Sequence, residues 1–150
     1  MKRFALFLMG ISFTHFLLAQ DNSYNFNFNH IALSVKDVDR SAAFYQRVLK
    51  LEEITNRSKL EGVRWFTIGG GRELHLISIV KEPIVTNKGL HLALTTSHFD
   101  AFVERLDSLN LTYSDWAGNP HKLNIRADGI KQAFFQDPDG YWIEVNSIGK

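Results

Sequence analysis

The sequence contains no cysteine. Disulfides, a thiolate zinc site, a cysteine nucleophile and a lipid-modified N-terminal cysteine are therefore excluded. Charge of one sign is also missing. Lys and Arg total 17 against 16 Asp and Glu, with no basic run. Nucleic acid is not expected as a partner for such a chain. Long apolar runs are absent after the first 20 residues. What remains is 150 residues, 45% of them hydrophobic, enough for one domain with a sizeable core.

The N-terminus stands apart. Lys2 and Arg3 precede an apolar run from Phe4 to Ala19, interrupted by Ser12, Thr14 and His15. A charged start followed by such a run reads as a secretory signal over residues 1–20, with a mature chain opening near Asp21. Gln20 is not the small residue usual at a cleavage point. An uncleaved membrane anchor is the competing reading, weakened by the polar interruptions. The expectation is an exported protein, periplasmic or secreted, without a stable membrane span after processing. Loss of Lys2 and Arg3 would leave 15 basic against 16 acidic residues, close to neutral.

Residues 25–148 form the domain proper. From Phe26 to Val35 the chain alternates, with Ile31, Leu33 and Val35 on one face and Phe28, His30, Ala32 and Ser34 on the other. Asp37 and Asp39 open a helix that continues over Ser41 to Lys50. Strands are expected at Glu52 to Arg57, Val63 to Ile68 and Glu73 to Val80, with Gly69-Gly70-Gly71 turning between the last two. A connector from Lys81 to Asn87 holds Pro83. The order β-α-β-β-β then begins again. Gly89 to Thr96 alternates, Asp100 to Leu109 has helical spacing, and strands are expected at Leu111 to Asp115, within Arg126 to Gln136, and at Tyr141 to Val145. His30-Ile31-Ala32-Leu33-Ser34 parallels His91-Leu92-Ala93-Leu94-Thr95 at an offset of 61, which Asp39 and Asp100 share. An internal duplication is stronger evidence than a single motif. The expected class is α+β: two tandem βαβββ modules forming a cup-shaped mixed sheet.

The last strand follows Asp137-Pro138-Asp139-Gly140. This turn is specified by proline's fixed φ, aspartates that bond nearby backbone, and a glycine able to take positive φ. Glu144 sits between Ile143 and Val145, and His75 sits between Leu74 and Leu76 in the matching strand of the first half. Together with His30 and His91 they occupy duplicated positions whose aliphatic neighbours point the other way. With helices on the aliphatic faces, all four residues point to the opposite, concave face. A lone histidine on a strand is more often a satisfied structural residue than a ligand. Four donors at duplicated positions reverse that balance and suit Zn²⁺, Ni²⁺, Mn²⁺ or Fe²⁺. His98, at a helix start, and His121, after Asn119-Pro120, lack this support. Trp65, Phe66, Trp116, Phe134 and Trp142 are candidates for a pocket wall, though core positions suit most of them.

These features resemble the vicinal oxygen chelate superfamily, which includes glyoxalase I, fosfomycin-resistance thiol transferases, extradiol dioxygenases and bleomycin-resistance proteins. The resemblance runs over roughly residues 26–147. It implies a cup-shaped sheet holding a divalent metal that meets two neighbouring oxygens of a small substrate. It implies His30, His75, His91 and Glu144 as ligands, Glu144 as the catalytic carboxylate and Arg126 as a basic substrate contact. Glu73, two residues before His75 on the same strand face, is a second candidate base or a partner behind the ligands, with a solvated strand-end charge as the plainer reading, and Trp65 and Phe134 are candidate substrate contacts. A homodimer is a candidate assembly. Glutathione-using members carry Arg four residues after the first ligand and Asn four after the second, where this chain has Ser34 and Ile79. The implied activity is a metal-dependent lyase or isomerase of glyoxalase type. The alternatives are an Fe²⁺ extradiol-type dioxygenase, in which His75 would crowd the open positions, and a metal-free binding protein.

Overall fold

The computed structural model of the chain describes residues 24–149. The proposed signal at 1–20 lies outside the described residues. Among those described, no helix is long and apolar enough to cross a membrane.

The elements follow the duplicated order. The first module is β1 (His30–Ser34), α1 (Val38–Leu49), β2 (Glu52–Ile54), β3 (Val63–Gly69) and β4 (Arg72–Ile77). The second is β5 (His91–Thr95), α2 (Phe99–Ser108), β6 (Asn124–Ile125), β7 (Lys131–Gln136) and β8 (Trp142–Asn146). Each module folds its strands into a four-stranded mixed sheet, in the orders β1-β4-β3-β2 and β5-β8-β7-β6. The first strand of each pairs in parallel with the last, and the hairpins are antiparallel. One expected strand is displaced. Leu111 to Asp115 contributes only isolated bridges from Ser114 to Pro120 and Phe134, and the edge strand forms later, at Asn124–Ile125. Asp115 instead accepts from the backbone and side chain of Asn119, and that local turn competes with a strand ladder.

Local chemistry explains the boundaries. Asp37 caps α1 by accepting from the amides of Asp39 and Arg40, both at 3.0 Å. Lys50 ends the helix in the left-handed region. His98 takes the corresponding cap position of α2 but makes no side-chain cap bond. The Asp137 turn closes as its residues demand. Its carboxylate accepts from the amides of Asp139 and Tyr141, and Gly140 has φ +92°.

The aliphatic faces of both sheets and one face of each helix share a single core. Leu33, Leu74 and Leu76 from the first sheet meet Phe135, Ile143 and Val145 from the second, with Val48 and Leu106 from the helices. Polar bonds pin the modules to each other. The Tyr45 hydroxyl donates to Asp137 at 2.9 Å, and Ser41 donates to Asp139 at 2.8 Å. Burial raises the Tyr45 and Asp137 pKa values, so this contact is desolvated. The modules therefore stand back to back around their helices. Each sheet turns its other face outward.

Candidate functional site

Strand register places the expected residues. On the first sheet Ala32 lies opposite His75, and Trp65 lies on the other side of His75. On the second, Ala93 lies opposite Glu144, and Phe134 lies on its other side. His75 and Glu144 are thus equivalent, as are Trp65 and Phe134, and the duplication extends to single residues. All lie on the outward faces, because register partners share a face while successive residues alternate.

The second sheet brings a histidine and a carboxylate together. His91 Nδ1 lies 3.0 Å from the carbonyl of Lys88. A carbonyl only accepts, so Nδ1 carries a proton and Nε2 is the nitrogen turned toward Glu144. That nitrogen lies 3.2 Å from Glu144 Oε2. Two electron-pair donors at that distance need a proton or a metal ion between them. Glu144 is 5% exposed, and its other oxygen accepts from the Asn146 amide at 2.8 Å. A ligand histidine held by a carbonyl and a ligand carboxylate held by an amide are what a metal site requires behind its donors.

The first sheet is wired differently. His30 is exposed, and its Nδ1 lies 2.7 Å from Asn29 Oδ1, which again leaves Nε2 free. His75 is buried and has the opposite polarity. Its Nε2 bonds the Glu73 carboxylate at 2.8 Å, so Nε2 carries the proton. Arg57 donates to the other Glu73 oxygen at 2.7 Å. The bond from Arg57, and then that from His75, lowers the Glu73 pKa, so this carboxylate is ionised and held from both sides. Trp65 stacks on His75 at 4.0 Å between ring centroids, and His75 stacks on His30 at 4.3 Å.

Trp65 and Phe134 therefore lie on the two faces, one on each sheet. Arg126 does not join them. It follows β6, the strand farthest from β5, roughly 14 Å away at normal strand spacing. Its guanidinium is engaged by Asp128 at 2.7 Å. His121 is likewise remote in its contacts, 3.4 Å from Asp107.

Sequence reasoning missed Lys88. Its ammonium donates to Ser114 Oγ and to the carbonyls of Asp115 and Trp116. It also lies over the rings of Trp142, Phe134 and Trp116, at 4.6, 4.8 and 5.7 Å. Burial lowers its pKa. The only sequence signal was its place three residues before a candidate ligand.

The four expected ligands fall into two pairs on two sheets. Among the described residues, no group of three or more His, Cys, Asp or Glu side chains comes together to hold a metal. β1 and β5, which carry His30 and His91, each pair on one side only among the described strands. Their edges border an open cleft of about 710 Å³, lined by apolar residues that include Ile31, Leu51, Leu92 and Leu94.

This arrangement has relatives. The chain is 26% identical over 125 residues to Glyoxylase I 4 of Arabidopsis thaliana, covering 78% of this chain and 68% of that one. It is 30% identical over 122 residues to Metallothiol transferase FosB of Shouchella clausii (strain KSM-K16), covering 79% and 78%. A solved structure titled Oxidase ChaP-H2 superposes with a TM-score of 0.68 at 26% identity, covering 82% of this chain and 94% of the other. The family model for the Glyoxalase/Bleomycin resistance protein/Dioxygenase superfamily matches residues 27–145, from just before the first ligand-type histidine to just past Glu144, and the chain belongs to that superfamily.

Proposed function

We propose that the protein is a divalent-metal-dependent enzyme acting on a small molecule with neighbouring oxygens, in a site completed by a second copy of the chain. The observation that carries this reading is the 3.2 Å approach of His91 Nε2 to Glu144 Oε2, with both groups held from behind. His30 presents the same nitrogen from the other sheet. A second copy laid with its β1 beside this β5 would bring His30 to His91 and Glu144, close the apolar cleft and pair both free edges.

The donor set of two imidazoles and one carboxylate suits Zn²⁺, Ni²⁺, Mn²⁺ or Fe²⁺. When bound, such an ion supplies Lewis-acid polarisation of the substrate oxygens. The chain's own groups do the rest. His30, His91 and Glu144 would hold the ion. Glu144 is one candidate for moving a proton on the substrate. His75, whose tautomer Glu73 fixes, is the other, and Arg57 keeps Glu73 ionised for that task. Trp65 and Phe134 exclude water on either side. The reaction class that follows is a lyase or isomerase of glyoxalase type.

One observation favours a second reading. His75 Nε2 is bound to Glu73, so His75 does not crowd the ion as a fourth nitrogen ligand through that atom. A set of two histidines and one carboxylate with open positions suits Fe²⁺ and oxygen. The alternative is an extradiol-type dioxygenase, and the likeness to a structure titled an oxidase supports chemistry with oxygen.

Two measurements test the reading. Mixing His30→Ala with Glu144→Ala chains should restore about a quarter of wild-type activity, because half the dimers then carry one intact site. No restoration would remove the shared site. A panel of α-oxoaldehyde–thiol adducts and catechols, assayed with each ion, separates the chemistries. Turnover of adducts without oxygen marks the lyase, and oxygen uptake with a catechol on Fe²⁺ alone marks the dioxygenase.

A further inference from the structure

We propose that Lys88, together with Trp116, Phe134 and Trp142, forms a cationic aromatic subsite beside His91 and Glu144 that takes a planar organic anion, an aromatic carboxylate or phenolate. The inference deepens the proposed function and rests on His91 and Glu144 marking the site.

Location comes first. Phe134 is the cross-strand neighbour of Glu144, and Trp142 is the neighbour of His91. Phe134 and Trp116 both approach the His91 ring, at 5.8 and 6.3 Å between centroids. The three rings that hold the ammonium are therefore the wall of the half-site itself. Trp116 is 51% exposed, and its contacts with His91 and Phe134 are both edge-on, so no ring of that wall stacks flat upon it.

Charge comes second. The duplication offers an internal control. Arg57 lies over Trp65 at 4.7 Å, as Lys88 lies over Phe134, and Trp65 and Phe134 are equivalent in register. Arg57 spends its charge on Glu73. Lys88 makes no direct ion pair with a carboxylate among the described residues; its bonds go to two carbonyls and one hydroxyl, and the Asp115 carboxylate, held by Asn119, attracts it only from a distance. The longest of these, 3.2 Å to Ser114 Oγ, is the one an incoming anionic oxygen would replace. A desolvated cation on ring faces attracts an anion more strongly than one in water. A flat body attached to that anion would lie on Trp116, with its other oxygens directed toward His91 and Glu144.

The test uses the full chain, stripped of metal by chelator so that no ion competes for the carboxylate. Calorimetry with 2-naphthoate and with the neutral 2-naphthalenemethanol reads the subsite directly. Wild type should bind the anion about tenfold or more tightly than the neutral probe. Lys88→Gln keeps donors for the two carbonyls but removes the charge. It should abolish the preference while leaving the neutral probe's affinity unchanged, and Lys88→Arg should restore part of it. Should Lys88→Gln fail to fold, Trp116→Leu is the second variant, expected to weaken both probes together. Equal binding of the two probes by wild type, binding of neither, or a preference that survives Lys88→Gln would each overturn the subsite. Because these readings need no metal and no turnover, they fail independently of the mixing experiment, which tests the shared metal site.

Discussion

The two outward faces share a fold, a register and a history, yet they are wired to opposite ends. On the first sheet His75 is held by Glu73, two residues earlier. On the second, Glu144 is held by Asn146, two residues later. Glu73 has Trp142 as its register counterpart, since each lies opposite the first histidine of its module. The difference separates roles. One face offers a histidine–carboxylate pair in close approach. The other offers one exposed imidazole and a buried histidine whose nitrogen is already occupied. A duplicated scaffold fixes where side chains sit, and the neighbours two positions away decide what each can do.

The strongest way to break this comparison is to remove one equivalent residue from each face. Glu144→Ala should weaken metal affinity at least ~100-fold, measured by competition with a chromophoric chelator, because a ligand is lost outright. His75→Ala should lose about 10-fold, the low end of the scale for a residue behind the ligands. Equal losses would make the faces equivalent and return His75 to the ligand set.

Glu73→Gln sharpens the comparison from within the first face. It keeps a hydrogen-bonding group beside His75 but removes the charge that Arg57 and His75 share. We expect turnover to fall about 10- to 100-fold while metal content stays at the wild-type level. Loss of metal together with activity would show Glu73 acting through the ion instead of through His75.

Tyr45→Phe asks whether the two faces must stay back to back. It leaves the buried Asp137 carboxylate without its hydroxyl donor. Urea unfolding should show a loss of about 1–3 kcal/mol. No change in midpoint would mean the helix contacts alone hold the modules in place.

The smallest effect is expected at Arg64, which pairs with Glu53 and Asp39 on the surface. Arg64→Ala should cost about 1 kcal/mol or less in the same unfolding experiment, with activity unchanged. A larger loss of activity there than in Glu73→Gln would contradict the assignment of the outward face.

Much of this was legible in the chain. The repeat at offset 61, the alternating strands and the Asp-Pro-Asp-Gly turn gave the element order, and period-two alternation put His30, His75, His91 and Glu144 on the faces away from the helices. Those signals are local, because the identity of nearby residues specifies backbone shape and which face is apolar. The strand expected at Leu111 to Asp115 failed for a reason also written locally, in the Asp115 carboxylate that accepts from the Asn119 amide and side chain in a turn of its own. Arg126 shows a limit of another kind: position before a hairpin says nothing of how many strands stand between it and β5.

Tertiary structure alone decided the rest. No pattern in the sequence says that α1 would pack its Tyr45 and Ser41 against the Asp137 turn of the other module, sending the two donor faces outward. Nor does any pattern say which nitrogen of each histidine would be taken. That depends on where a carbonyl at Lys88 or a carboxylate at Glu73 comes to rest once the strands pair. Sequence determines which atoms can donate and accept. The fold determines which of them meet, because hydrogen bonds and ion contacts act only over about 3 Å, a distance that packing alone sets.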